Sequence, residues 1–404
     1  MRLSIANKIN ISFGRETMVK LLLCAVWAVV IIGYSKGIIN KIPVLGDFSE
    51  LVQASMIVIP LLLALPALIN KFCLADYLFY FIWVIYYLSC YIAYPGNTFY
   101  LNENIFICLC CVFPYYFIGR LTDINVMFNW FVLLSAACVL MDLFYYLAYA
   151  PSNKNMAEMD LADNMYRAYR SLPNVAMLLW ATLDKFRIWK CILSFLGLLF
   201  LLSCGTRGPL ACLVFFCIIY FLFFMNFKGA IYVKGIIVSV ILVIIFFIKE
   251  IVQVLALTFL NLNLSTRILE KFITGDLGND SQRSGLRDIL YSVLDNGDHF
   301  FGLGFFGCRN YGVIYPHFLP LDLATTFGYF VGYTLFALLL VLVGGAIWCA
   351  RSQRSRAFIL VLCSISVIKL MFSNTFVLEP YLFMLIGVSV SEISNVITYE
   401  RKHQ

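Results

Sequence analysis

Apolar runs of about 20 residues, each closed by a short polar break, repeat along most of this chain. About 20 apolar residues in helix suffice to cross a bilayer. The pattern therefore predicts an all-α, polytopic helical bundle in a membrane. About 12 transmembrane helices are expected, at 18–35, 51–70, 73–94, 103–119, 124–149, 171–184, 188–204, 208–226, 235–257, 322–348, 357–374 and 380–397. Three stretches interrupt the pattern: APSNKNMAEMDLADNMYRAYR at 150–170, the hinge GTRGP at 205–209, and the long polar loop 258–320. Within that loop, Leu286, Ile289, Leu290, Val293 and Leu294 recur at helical spacing, so 281–296 reads as an amphipathic helix too short to span. No repeat of 20–50 residues is visible, and residues 1–404 are read as one integral membrane domain.

Composition agrees with the pattern. The chain is 62% hydrophobic and 13% charged, about half the charged share of a soluble domain. Its net charge of +7 does not point to nucleic acid, because the cations are spread over short connectors beside the spans. Those connectors, CARSQRSRA at 349–357 above all, set the expected orientation. Both termini face the cytoplasm, and 150–170, 205–209 and 258–320 all face out. The first apolar run, LLLCAVWAVVIIGY, has no small-residue cleavage site and is expected to be kept as a span. The 14 cysteines sit mostly inside apolar runs, so no disulfide framework is expected. The cluster Cys108, Cys110 and Cys111 lacks a nearby His or acid and reads as small hydrophobes rather than a metal site.

Few residues remain to carry chemistry. Arg207 lies between Gly205 and Gly208 with Pro209 next. It is either an interfacial anchor or an anion ligand at a helix start. Arg283 and Arg287 are four apart on the amphipathic helix. They form either a solvated edge or a grip on phosphate. Gly302, Gly304 and Gly307 permit a tight turn, and as a lone Gly-x-Gly pattern are weak evidence for a nucleotide. His317, bracketed by Pro316 and Pro320, is either an aromatic-belt residue or a general base. His299 reads as a surface residue and His403 as part of the tail. Lys369 lies inside a span and is either a functional intramembrane charge or a structural one paired with a carboxylate such as Glu379 or Asp322.

Four segments in order resemble the O-antigen polymerase and ligase superfamily of bacterial inner membranes: RAYRSLPNVAMLLWATL, SCGTRGPLACLVFF, SGLRDILYSVLDNGDHFFGLGFFG and PHFLPLDLATTFGYFVGYTLF. The resemblance covers roughly 165–345. It departs where the family often has Asn after the His and this chain has Phe318.

The resemblance implies a helical bundle with a large periplasmic loop in the bacterial inner membrane. It also implies transfer of a glycan from undecaprenyl pyrophosphate to an acceptor hydroxyl, without cofactor, nucleotide sugar or metal. Arg207 and Arg287 would hold the pyrophosphate, with Arg283 and Arg170 as weaker candidates, and His317 would position or deprotonate the acceptor. The partners implied are the undecaprenyl-pyrophosphate-linked oligosaccharide and membrane lipid. A chain-length regulator is left open, and nucleic acid is not expected. The preferred reading is a glycosyltransferase that polymerises O-antigen or capsular repeat units. The rivals are a ligase to lipid A–core and a polysaccharide transporter or flippase.

Overall fold

A computed structural model describes residues 74–149, 161–224, 248–261, 283–296 and 300–403, with single residues between 266 and 274. The expected spans 18–35 and 51–70, the first part of 235–257, and His299 lie outside the described residues. Among the described residues the fold is all-helical. The helices are α1 (Leu74–Ala93), α2 (Thr98–Leu121), α3 (Ile124–Tyr149), α4 (Leu161–Asp184), α5 (Ile188–Ser203), α6 (Arg207–Phe223), α7 (Ile248–Asn261), α8 (Arg283–Asn296), α9 (Leu319–Phe327), α10 (Tyr329–Cys349), α11 (Gln353–Cys363) and α12 (Pro380–His403).

Three of these, Asp76–Ala93 in α1, Met127–Phe144 in α3 and Tyr329–Cys349 as α10, are long and apolar enough to cross a membrane. Helices α1 and α10 leave much of that apolar surface uncovered, for instance Phe81, Ile82 and Ile92 on α1 and Phe330, Leu338 and Val341 on α10. Covering it with lipid removes apolar area from water at roughly 25 cal/mol per Å². The arrangement is consistent with a membrane protein.

Three expected spans differ in form. The short one at 171–184 is the second half of a longer helix, α4. Pro173 sits inside α4 and has no N–H for the Tyr169 carbonyl. The helix continues because the turn before the proline is anchored: Arg170 and the Ser171 hydroxyl both bond the Asp142 carboxylate of α3. The expected span 322–348 is broken at Gly328 (φ 85°), which separates the short α9 from α10. There a Cβ would collide with the Phe300 carbonyl. The span 357–374 starts as α11 and widens into a π-helical turn at Ser364–Ile368. After Lys369 it unwinds into the turn 371–374. π-turns inside helices occur often at functional sites.

The tightest crossing is between α2 and α12. A Cβ on Gly119 would meet the Met384 carbonyl, and one on Gly387 would meet the Tyr116 carbonyl. Neither obstacle is a movable side-chain tip. Beside the crossing, Asp76 of α1 accepts from Tyr116 and pairs with Arg120 at 2.8 Å, all three buried. Gly387→Val must separate the two backbones. A loss of at least 1–3 kcal/mol, about the usual cost of overpacking, is expected as a lower midpoint of heat unfolding in detergent. Gly344→Val on α10, where the added Cβ meets nothing within 4 Å, is expected to stay near wild type.

Candidate functional site

A cavity of about 490 Å³ lies beside the N-terminal half of α4. Tyr115, Tyr166, Tyr169, Arg170, Lys369 and Glu379 are among its walls. Two cations are held there by buried carboxylates. Lys369 Nζ is 2.6 Å from Glu379, whose side chain is fully buried. Asn374 donates a second hydrogen bond to Glu379 at 3.2 Å. Arg170 is 3.2 Å from Asp142 on α3. Both cations also face aromatic rings: Lys369 lies 5.3 Å from the Tyr169 centroid and Arg170 5.9 Å from that of Tyr166. The result is a polar, aromatic chamber whose charges are pinned before any ligand arrives. A guanidinium carries five N–H donors and an ammonium three, so both side chains are of the kind that grips anions.

The chemistry-bearing segments expected from sequence meet at Tyr169. Ser373, Arg283 and Tyr315 all lie within electrostatic range of its hydroxyl. Gly208, next to Arg207 at the start of α6, packs against the same hydroxyl. The hinge 205–209, the start of the amphipathic helix and the His317 segment thus reach one end of α4.

The five candidates occupy different places there. Arg170 lines the cavity. Arg283 begins α8 and acts on Tyr169 from the side. Arg207 begins α6 and is half-buried, but is not part of the cavity wall. Arg287, one turn into α8, lays its guanidinium 5.6 Å from the Phe318 ring centroid. Phe318 is therefore a platform for one of the candidate arginines. His317 borders the cavity through its neighbours: its ring is 4.4 Å from that of Tyr315, and its Nδ1 is 3.2 Å from the Phe372 carbonyl oxygen. A carbonyl only accepts, so this contact places the proton on Nδ1 and the basic lone pair on Nε2.

The backbone here is strained. His317 (φ 55°) and Asn374 (φ 72°) are both left-handed without being glycine. Such residues cost of order 1–3 kcal/mol each and concentrate at functional sites. These two come from separate segments that the His317–Phe372 contact ties together.

Sequence reasoning missed Asp142 and the tyrosines. An acid inside the apolar run 124–149 was a readable signal for Asp142, since charge at membrane depth needs a partner. No local signal marks Tyr169. Of the two partners weighed for Lys369, Glu379 is the one in contact. Asp322 instead accepts from the Phe376 backbone N–H at 2.8 Å.

The glycine turn has a structural use. Leu303 and Gly304 donate to the carbonyls of Thr325 and Thr326 at 2.6 and 3.2 Å, and Asn97 donates to Leu303 and Phe305. Phe305 is fully buried, its ring near those of Trp83, Tyr86 and Tyr87 of α1. The turn is thereby bolted to the bundle rather than open for a nucleotide. Burial pushes the neighbouring Cys308 thiol up to about 12, so it stays protonated and poorly reactive at neutral pH.

No protein-family model, no curated protein and no solved structure gives a significant match to this chain.

Proposed function

We propose that this chain is a polymerase of lipid-linked saccharide repeat units, of O-antigen or capsular type, in a bacterial inner membrane. About 12 spans would cross that membrane, with the cavity and the loop 258–320 at its periplasmic face. The observation that carries this reading is the convergence on Tyr169 of the Arg170, Gly208, Arg283 and Tyr315 segments, which are the segments that resemble the family. A chamber with pre-positioned cations, tyrosines and a histidine at its border suits a pyrophosphate donor and a hydroxylated acceptor.

In this reading the donor's anomeric C–O bond to pyrophosphate breaks as the acceptor oxygen bonds to the anomeric carbon. Arg170 and Lys369 stabilise charge developing on the departing pyrophosphate, and Arg283, Arg207 and Arg287 steer and hold it at the rim. His317 accepts the acceptor's proton on Nε2. Pyrophosphate is already a good leaving group, so no cofactor enters the scheme.

Deleting the gene in its source strain tests the reading. A polymerase's loss leaves lipid A–core bearing a single repeat, seen as collapse of the polysaccharide ladder to one band on a gel. Bare core with long lipid-linked chains would make the protein a ligase instead. Single repeats trapped at the cytoplasmic face would make it a transporter.

A further inference from the structure

A second cavity, of about 410 Å³, lies at the opposite end of the α3–α4 pair. Its wall includes Phe128, 14 residues before Asp142 on α3, a separation of about 21 Å along a helix. Four cations line it: Lys185, Arg187, Lys190 and Arg354. Among the described residues Asp184 is the only carboxylate in that lining, and it is paired with Arg354 at 3.2 Å.

One of the four, Lys190, is built into the wall, while Lys185 and Arg187 stand exposed at its mouth. Lys190 is buried, with Nζ 3.1 Å from the Ala181 carbonyl and 5.8 and 5.9 Å from the Phe128 and Trp189 ring centroids. Arg354 lies 4.7 Å from the Phe128 centroid. Arg187, Arg354 and Lys185 all act against the charge on Lys190, and Asp184 alone offsets them in part. Like charges held this close repel, and an anion between them removes the repulsion. The first turn of α5, which follows Arg187, has no side-chain cap and contributes Trp189 and Lys190 to the wall. Its unpaired N–H groups add to the positive potential.

We infer that this cavity is a binding site for a phosphate-bearing ligand, separate from the Tyr169 chamber. Two sources share that chemistry: the headgroup of an anionic phospholipid and a soluble phosphoester. Exposed Phe186, Ile188 and Trp189 stand beside the cations. Apolar and aromatic side chains next to basic ones are the arrangement expected where headgroups meet acyl chains, which favours the lipid.

The test uses the full chain in neutral detergent, with the midpoint of heat unfolding as readout. The probes are phosphatidylglycerol, phosphatidylcholine and inorganic pyrophosphate. Lys185→Gln/Arg187→Gln removes two exposed cations of the connector between α4 and α5, and Arg354→Gln is the second variant. A saturable rise with phosphatidylglycerol, absent with phosphatidylcholine and at least roughly tenfold weaker in apparent affinity in both variants, supports a lipid site. The same pattern with pyrophosphate in place of phosphatidylglycerol supports a soluble phosphoester. If neither probe shifts the wild-type midpoint, or if both variants respond as the wild type does, the inference is overturned.

Discussion

Lys369→Met is expected to destabilise the protein by about 3–5 kcal/mol, the usual cost of orphaning one partner of a buried ion pair. Glu379 is fully buried and 2.6 Å from Lys369. Without the ammonium its carboxylate is left with the Asn374 amide at 3.2 Å. The cost is therefore mainly the uncompensated charge and only partly the lost attraction. The check is the fraction of protein remaining monodisperse after a temperature ramp in detergent. Lys369→Met/Glu379→Leu removes both charges and is expected to recover most of the loss, because well-packed apolar pairs often replace buried ion pairs without penalty. On the polymerase reading proposed above, the double variant should still make no polymer, since the ammonium that faces Tyr169 at 5.3 Å is gone. A single variant as stable as the wild type would show that the pair does not hold this segment together.

On the polymerase reading proposed above, Arg170→Ala is expected to lower the rate of polymer formation roughly 100- to 1,000-fold, the effect of removing one charge-stabilising donor from a pre-organised site. His317→Ala is expected to fall within roughly 100- to 10,000-fold, the span of general acid–base contributions. The assay is reconstituted protein with a lipid-linked repeat unit, followed by chain length on a gel. Arg170 also binds Asp142, so Asp142→Asn serves as a control. It leaves Arg170 its charge and loosens its position, and should give a smaller loss than Arg170→Ala. Equal activity in wild type and Arg170→Ala would remove this cavity from the chemistry. The His317 variant separates base from scaffold: His317→Gln keeps a group able to hydrogen-bond the Phe372 carbonyl but cannot take up a proton. It should be stable and inactive.

Helix placement was legible in the chain because it follows from local pattern. The expected spans at 73–94, 124–149 and 188–204 match α1, α3 and α5 to within a residue or two. Apolar runs bounded by polar breaks leave little choice. The amphipathic helix was equally readable: the expected 281–296 is Arg283–Asn296 in the structure. Its apolar side packs through Leu290 and Leu294, both buried, as the helical spacing required. Where propensity and context disagreed, context prevailed. The apolar pattern placed a helix at 171–184, yet α4 already runs from Leu161, with Arg170 and Ser171 tied to Asp142 in the turn before Pro173. That extension brings Tyr166, Tyr169 and Arg170 into the cavity.

Partner choice was not legible, and that is where the site is decided. Lys369 had two acids in reach by sequence; only the unwinding of the chain after the π-turn brings Glu379 rather than Asp322 against it. Arg170 and Asp142 are 28 residues apart and Arg120 and Asp76 are 44 apart. No local period links such pairs. The same holds for the second cavity, whose cations come from the α4–α5 connector, from Lys190 in the first turn of α5 and from Arg354 near the start of α11. A short-range signal, the spacing of apolar positions, determines which residues enter helices and which faces are buried. Coulomb energy and desolvation depend on distance through space, so the pairing of charges, and with it the position of both candidate sites, was settled only when the helices packed.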